Sequence, residues 1–365
     1  MTVIKGETVM SDIGLNKEQL DTPTLWVDLD KLENNIAMLA KHFKSAGVDW
    51  RPHMKGVRIA GIAHKAIAAG AIGVTCATIK EAEAMANAGI TNILIANEVV
   101  GHQKITRLVN LCQYTDTKVI VDNEANISEL SSAACARGVD IGVLIDINTG
   151  MNRTGLLPGD AVVELAKHVH ATSGLSFLGV MAWEGHTLGH KDPEVKRQEI
   201  MKSVEQLTDT ADRCRAVGLP VSIVSGGGSG TYKITPFLEG MTEIQAGGAI
   251  FSDVAYQSWG VETTPSLFVQ TIVSSRPAPD RIIVDAGFKT LPTWHAQPKP
   301  IGFDGVKSHV GSAEHGVITL DEPNNDVHVG DIIDFMVGYT DSTLFLHRKL
   351  YGIRGGMVEV VWDIL

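Results

Sequence analysis

Residues 118–147, KVIVDNEANISELSSAACARGVDIGVLIDI, decide the fold. Two near-continuous apolar runs, Lys118–Asn123 and Ile141–Ile147, flank an amphipathic helical stretch at 124–137 that stops at Arg137-Gly138. Strands this apolar along their centres are buried on both faces, as in a parallel sheet whose crossovers are helices. The same alternation continues in both directions. Strand candidates precede it at Arg51–Lys55 (RPHMK), Ala71–Ala77 (AIGVTCA) and Asn92–Asn97 (NILIAN). Others follow at Phe177–Trp183 (FLGVMAW), Val221–Ser225 (VSIVS) and Glu243–Ala246 (EIQA). Helical candidates fill the intervals at 57–69, 79–89, 101–113, 159–172 and 193–217. Asp192-Pro193 supplies an N-cap followed by proline at the first helical position, and Ala88-Gly89 and Val217-Gly218 are glycine stops.

Eight strands with helices between them is the count of a (β/α)8 barrel of the TIM type. A doubly wound sheet uses fewer strands and a different glycine fingerprint. Thr263-Thr264-Pro265 breaks the alternation, and only strand candidates follow: Phe268–Ser274, Arg281–Ala286, Ile332–Val337, Thr343–His347 and Val358–Trp362. They read as a second, smaller antiparallel β-domain. Thr24–Asp30 (TLWVDLD) precedes the eight barrel strands and is assigned to that β-domain, ahead of a helix at Lys31–Ala46. The expected division is therefore a barrel over 31–262 and a β-domain made of 1–30 plus 263–365.

The 365 residues, 44% hydrophobic and 20% charged, are ordinary globular usage, which excludes wholesale disorder. The net charge of −11 argues against nucleic acid and anionic membranes as partners, while leaving room for a local basic pocket. No apolar run is long enough to cross a bilayer, and the first twenty residues carry no apolar leader. The four cysteines are widely spaced without a CxxC, so they read as reduced core thiols of a cytoplasmic protein. The 37 glycines have no collagen period and point to turns, or to close approach of backbone to a ligand.

A (β/α)8 enzyme builds its site at the C-terminal ends of the strands. Those ends carry Lys55, Thr75 and Cys76, Asn97, Asp122 and Asn123, Asp146 and Asn148, Trp183 with Glu184 and His186, Ser225–Gly228, and Gln245. Lys55 at a strand end is expected to be partly desolvated, which frees its lone pair to attack a carbonyl as a Schiff-base lysine. The alternative is a surface or salt-bridged lysine, as Lys65 on the next helix is read. SGGGSGTY at 225–232 follows strand seven, where phosphate sites recur, and its glycines would expose successive N–H groups. The alternative there is a flexible turn. A lysine and a phosphate cradle in one barrel mouth point to pyridoxal phosphate. Arg153, just after strand five, suits a carboxylate or the cofactor's phenolate oxygen, or else a structural ion pair. His186 suits proton transfer near neutrality. His53 is read as a core histidine or an orienter of Lys55.

Six motifs in order then carry a resemblance: RPHMKG (51–56), DINTGMNRTG (146–155), WEGH (183–186), SGGGSGTY (225–232), EIQAG (243–247) and DAGFK (285–289). Over about residues 21–350 the chain resembles the D-threonine aldolase/D-serine dehydratase family of fold-type III, alanine-racemase-like pyridoxal-phosphate enzymes. The resemblance implies a barrel with a β-domain, a homodimer, and Lys55 as the imine lysine. It implies Arg153 on the phenolate side of the ring and Gln245 near the pyridine nitrogen. It places Ser225, Gly226, Gly227, Gly228 and Tyr232 at the phosphate, with Tyr256 closing over it and His186 as the acid/base. The family also holds a divalent metal (manganese, magnesium or zinc) on His-x-Asp or His-x-Cys near the C-terminus. Here that stretch is Gly338–Thr343, with Asp341 in place and Tyr339 where the histidine stands. A neutral phenol is a poor metal ligand beside imidazole, so a weakened or absent site is expected, with Asp341 its candidate ligand and Tyr339 a candidate proton donor. His315, in Glu314-His315-Gly316, matches a further motif. The implied activity is lyase action on a D-3-hydroxy amino acid, retro-aldol cleavage leading. Alternatives are a dehydratase-type ammonia-lyase, an amino-acid racemase, and a pyridoxal-phosphate carrier without catalysis.

Overall fold

The computed structural model describes residues 12–302 and 304–365. The leader reading and part of the 1–30 segment fall on residues 1–11, outside the described residues. The chain forms two compact units. One holds the described residues up to Glu33 with Asp253–Ala255 and Thr264–Ile364, and the other holds Asn34–Ser252 with Tyr256–Thr263 and Leu365.

In chain order, β1 (Thr24–Asp28) and α1 (Leu29–Ala46) lead to the eight barrel strands. These are β2 (Asp49–Trp50), β3 (Val74–Cys76), β4 (Asn92–Glu98), β5 (Asp116–Val121), β6 (Ile141–Ile147), β7 (Leu175–Ala182), β8 (Ile223–Gly226) and β9 (Glu243–Ile244). They pair in parallel in the order β2-β9-β8-β7-β6-β5-β4-β3. Between β2 and β3 the join is a His53–Thr75 bridge, flanked by Ile72 N–H to Trp50 O (2.9 Å) and Thr75 N–H to Pro52 O (3.0 Å). The helices between are α2 (Ala60–Ala68), α3 (Ile79–Asn87), α4 (His102–Leu111), α5 (Glu124–Arg137), α6 (Asp160–Ala171) and α7 (Pro193–Ala216), each inside its expected stretch. Asp192 accepts the N–H groups of Glu194 and Val195 at the start of α7, and Gly138 closes α5 at φ +69.

Strand periodicity builds the inside of this unit. Leu94, Ile120, Leu144 and Met181, from β4 to β7, form one buried cluster. Two residues earlier on the first three strands stand Asn92, Lys118 and Gly142, and two residues later Ala96, Asp122 and Asp146, on the same faces. An apolar plug thus separates two polar layers. In the lower one, buried Arg51 donates to Glu243 Oε2 (3.0 Å) and to Asn92 Oδ1 (2.7 Å), and Lys118 Nζ reaches Asn92 (3.1 Å) and Asp116 (2.6 Å). A buried charge pair is tolerated because its remaining donors are satisfied in this way.

After α8 (Val254–Ser258), the other unit contains β10 (Leu267–Ala278), β11 (Arg281–Val284), β12 (Lys299–Pro300), β13 (Val306–Gly311), β14 (Gly316–Leu320), β15 (Ile332–Met336), α9 (Thr340–Leu344), β16 (Lys349–Arg354) and β17 (Met357–Asp363). The path β13-β14-β11-β10-β1-β16-β17 carries β15 on β10 and β12 on β15. All described pairs here are antiparallel except β1 with β16. β1 thus joins the β-rich sheet, as expected from its place ahead of the barrel strands.

Two expected strands are corrected. Arg51–Lys55 is not a strand: β2 ends at Trp50 and Met54–Gly56 is a 3-10 turn, because the His53 side chain caps the Lys55 N–H. Thr343–His347, β-branched and aromatic, lies instead across the end of α9. Asp253 Oδ2 accepts the N–H and hydroxyl of Thr340 (2.6 and 2.7 Å), and the Tyr339 carbonyl accepts from Thr343 and Ser342, so capping overrides composition. The short strands β12, β13, β14 and β16 were not expected.

Candidate active site

The C-terminal ends of the barrel strands gather most of the expected residues. Lys55 sits on the turn after β2, and its N–H donates to His53 Nδ1 at 3.4 Å. Its side chain is exposed, which corrects the expectation of a desolvated amine at a strand end. His53 is held well below the usual imidazole range, first by burial and then by the positive charges of Lys55 and Arg153. The His53 imidazole is therefore held neutral, and the positive charges of both Lys55 and Arg153 act on it.

Arg153 projects, exposed, from a loop stapled at its base. Ile147 and Leu156 bridge in parallel, the Thr154 hydroxyl donates to Asp146 Oδ2 (2.6 Å), and Gly155 N–H donates to Asp122 Oδ2 (3.2 Å). Asn148 Oδ1 receives the N–H groups of Gly150 and Asn152 (3.1 and 2.9 Å). Burial pushes the Asp146 carboxyl up, opposed by Thr154 and Arg153. Burial also raises Glu98, with Asp146 and Asp122 adding to it and Arg153 opposing. Sequence reasoning missed Glu98, because β4 runs on past Asn97 through an irregular register. An acid ending an apolar strand was the available signal.

His186 follows β7. Its Nε2 is 3.4 Å from Ser203 Oγ, and its Nδ1 is buried without a partner among the described residues.

The glycine loop is built differently from expectation. Gly226 ends β8, Gly227 N–H donates to Glu184 Oε2 (3.3 Å), and Gly228 N–H donates to the Thr231 hydroxyl (3.1 Å). Glu184 Oε1 also accepts from Thr231 and Thr235 (2.8 and 2.7 Å), so this buried carboxylate locks the loop from within. A Cβ on Gly228 would come within 2.5 Å of the Trp183 indole, and one on Gly230 within 2.4 Å of Leu188. These glycines admit protein side chains, and the amides of 227 and 228 are already used. Further along, Ser229 Oγ accepts Ala249 N–H (2.9 Å), and Tyr256 lies against Gly248 so closely that a Cβ there would meet its ring at 2.1 Å. Gln245 donates to Ser225 Oγ (2.8 Å), both buried. The Tyr232 hydroxyl accepts Glu262 N–H (3.4 Å) and its ring packs on His42.

Tyr339 and Asp341 belong to the other unit. Tyr339 is buried, with His295 edge-on to its ring at 4.9 Å and Trp294 at 6.0 Å. Among the described residues no three His, Cys, Asp or Glu side chains gather in a metal-holding cluster. The two side chains that the resemblance singles out there, a phenol and one carboxylate, are by themselves a weak donor pair for a divalent metal. The barrel set does fit an aldehyde cofactor with an anionic tail: a primary amine, a neutral imidazole, an arginine, a fixed carboxamide, and a tight glycine turn at 247–249. Fold and site together define the class of a barrel enzyme whose strand ends can accommodate an aldehyde cofactor.

The chain belongs to the alanine racemase family. Residues 27–254 match "Alanine racemase, N-terminal domain", and residues 266–353 match "Putative serine dehydratase domain". It is 33% identical to a 3-hydroxy-D-aspartate aldolase of Paracoccus denitrificans (strain Pd 1222), covering 96% of this chain and 93% of the relative. A D-threo-3-hydroxyaspartate dehydratase of Delftia sp. (strain HT23) is 31% identical over 74% of this chain and 73% of its own length. The crystal structure of D-threonine aldolase from Filomicrobium marinum superposes with a TM-score of 0.94 at 34% identity, over 97% of this chain and 98% of that one.

Proposed function

We propose that the chain is a pyridoxal-phosphate-dependent lyase that cleaves D-3-hydroxy amino acids by retro-aldol chemistry. The observation that carries this reading is the grouping of Lys55, neutral His53 and Arg153 at the C-terminal end of the barrel. Full-length similarity to aldolases supports it. When bound, the cofactor supplies a sink for the electron pair left at Cα. Lys55 would hold its carbonyl, and His53, kept neutral, adds no third positive charge beside that amine. Arg153 would face the phenolate oxygen, on a loop that Asp146 and Asp122 hold still. Gln245, oriented by Ser225, would face the ring nitrogen. The use of the Gly227 and Gly228 amides by Glu184 and Thr231 shifts the phosphate contact along the loop toward Ser229, Gly230 and the facing 247–249 turn, under Tyr256. His186 would take the β-hydroxyl proton as the Cα–Cβ bond breaks.

No step is assigned to a metal. Dehydration is the second reading, favoured by the Delftia relative. Product analysis on a panel of D-3-hydroxy amino acids separates the two: an aldehyde with glycine or its analogue supports cleavage, whereas a 2-oxo acid with ammonia supports dehydration. An inverted amino acid points to racemisation, and a persistent cofactor band without turnover points to a carrier. The four cysteines are free, which supports a reducing, cytoplasmic setting. A second copy of the chain is the partner we expect, and light scattering of the purified protein tests it.

A further inference from the structure

The ring of His186 is held by contacts that leave one nitrogen over. Nε2 stands 3.4 Å from Ser203 Oγ, and that oxygen stands 3.3 Å from the carbonyl oxygen of Thr149. Ser203 is 2% exposed on α7, so water does not compete for its hydroxyl. A carbonyl only accepts, and a serine hydroxyl has one proton to give. With that proton directed to Thr149, the remaining contact is a hydrogen bond only when Nε2 carries hydrogen. The lone pair of the neutral ring is then on Nδ1, which is buried and has no partner among the described residues. Gly150 shapes the seat: a Cβ there would come within 2.7 Å of Nε2, and its φ of +128 is open to glycine rather than to other residues. The loop and α7 thus fix one edge of the imidazole and leave the other as an unmatched acceptor, which a hydroxyl donor on a substrate would complete.

We propose that Ser203 is a positioning residue that holds His186 as the Nε2–H tautomer, so that Nδ1 is the atom that takes the substrate's β-hydroxyl proton. The inference deepens the lyase reading and rests on it. In the step, the substrate O–H bond breaks and an Nδ1–H bond forms. The oxygen's electrons close the new carbonyl at Cβ, the Cα–Cβ pair passes to Cα, and His186 leaves the step as imidazolium, with Ser203 still accepting from Nε2.

The test uses the holoenzyme with Ser203→Ala, Ser203→Thr and His186→Gln. Ser203→Ala should lower kcat about tenfold, the size of one lost orienting hydrogen bond, with KM and the cofactor absorbance band unchanged. The acidic limb of its pH profile, where the base becomes protonated, should move, and Ser203→Thr, which keeps the hydroxyl, should restore most of the rate. In nitrogen-15 histidine spectra the His186 signal, identified by its loss in His186→Gln, should show hydrogen on Nε2 and a bare Nδ1. Hydrogen on Nδ1 in the wild type overturns the proposal. So does a Ser203→Ala enzyme with an unaltered kcat and pH profile while His186→Gln is inactive, an outcome that leaves the lyase reading standing. Full activity in His186→Gln removes the base itself and overturns both the tautomer assignment and the role given to His186.

Discussion

Lys55 illustrates what a residue's surroundings do to its chemistry. A lysine shortly after the first barrel strand was legible from position alone, although that strand itself ends at Trp50. Its exposure was not, because the His53 cap that bends 54–56 into a turn is a side-chain contact no periodicity reports. Lys55→Ala should abolish the near-visible absorbance of bound cofactor and lower turnover by roughly a thousandfold or more; an intact band in the purified variant would remove Lys55 from the cofactor's attachment. The cysteines make a second residue-scale case. They were read together as core thiols, yet Cys135 is exposed, Cys112 is half-buried with its thiol pushed up to about 12 by burial, and Cys76 and Cys214 are buried and raised too. A native thiol titration should consume one equivalent rapidly, at Cys135, and four after unfolding. Rapid loss of more than one thiol from the native protein would contradict this burial pattern.

Among the elements, the barrel strands and helices were legible where the period was strong, as in IGVLIDI and 124–137. They were misread where few residues pair or where capping decides. β2 has two paired residues, and α9 follows from Asp253 and the Tyr339 carbonyl rather than from its own residues. The glycine loop was legible as an element and misjudged in use. Its inner amides are tied to Glu184 and Thr231, so its stiffness depends on a carboxylate 43 residues from Gly227 in the chain. Glu184→Ala would leave the Gly227 amide and the Thr235 hydroxyl unpaired in a buried place, costing about 2–3 kcal/mol. The expected result is a lower urea midpoint and cofactor affinity weakened by about tenfold or more, measured by the absorbance band during dialysis. Unchanged affinity would place the phosphate away from this loop.

At the scale of the whole molecule, acid stability and metal dependence can be stated. His53, His309 and His347 are all lowered by burial, and His309 has neither ring nitrogen bonded among the described residues. Below about pH 6.5 the unfolded chain takes up protons that these folded histidines refuse. Stability therefore falls as pH drops from there toward their folded values, by up to about 1.4 kcal/mol per pH unit for each group. Glu98 and Asp146, raised in the fold, act with the opposite sign as pH falls from their folded values toward about 4. His309→Leu should flatten the loss between pH 7 and 5.5, read from urea midpoints; an unchanged slope would mean that His309 does not titrate with folding. Turnover should survive chelation if, as the resemblance implies, Tyr339 stands in the place of a metal-binding histidine. Activity abolished by chelator, with one tightly bound ion recovered per chain, would reverse that expectation.

The sequence by itself determined the number, order and type of the barrel elements and the change to β structure after residue 263, and it singled out Lys55 as the lysine to test. These follow from local periodicity, turn chemistry and short motifs. Only the tertiary structure decided which polar atoms remain available once folding has satisfied the others. Glu184 occupies the Gly227 amide, the Ser203 hydroxyl lies against Nε2 of His186, and the Gly155 amide donates to Asp122. Each of these pairings joins residues distant in sequence, and hydrogen-bond satisfaction is a property of the packed chain, not of any segment of it.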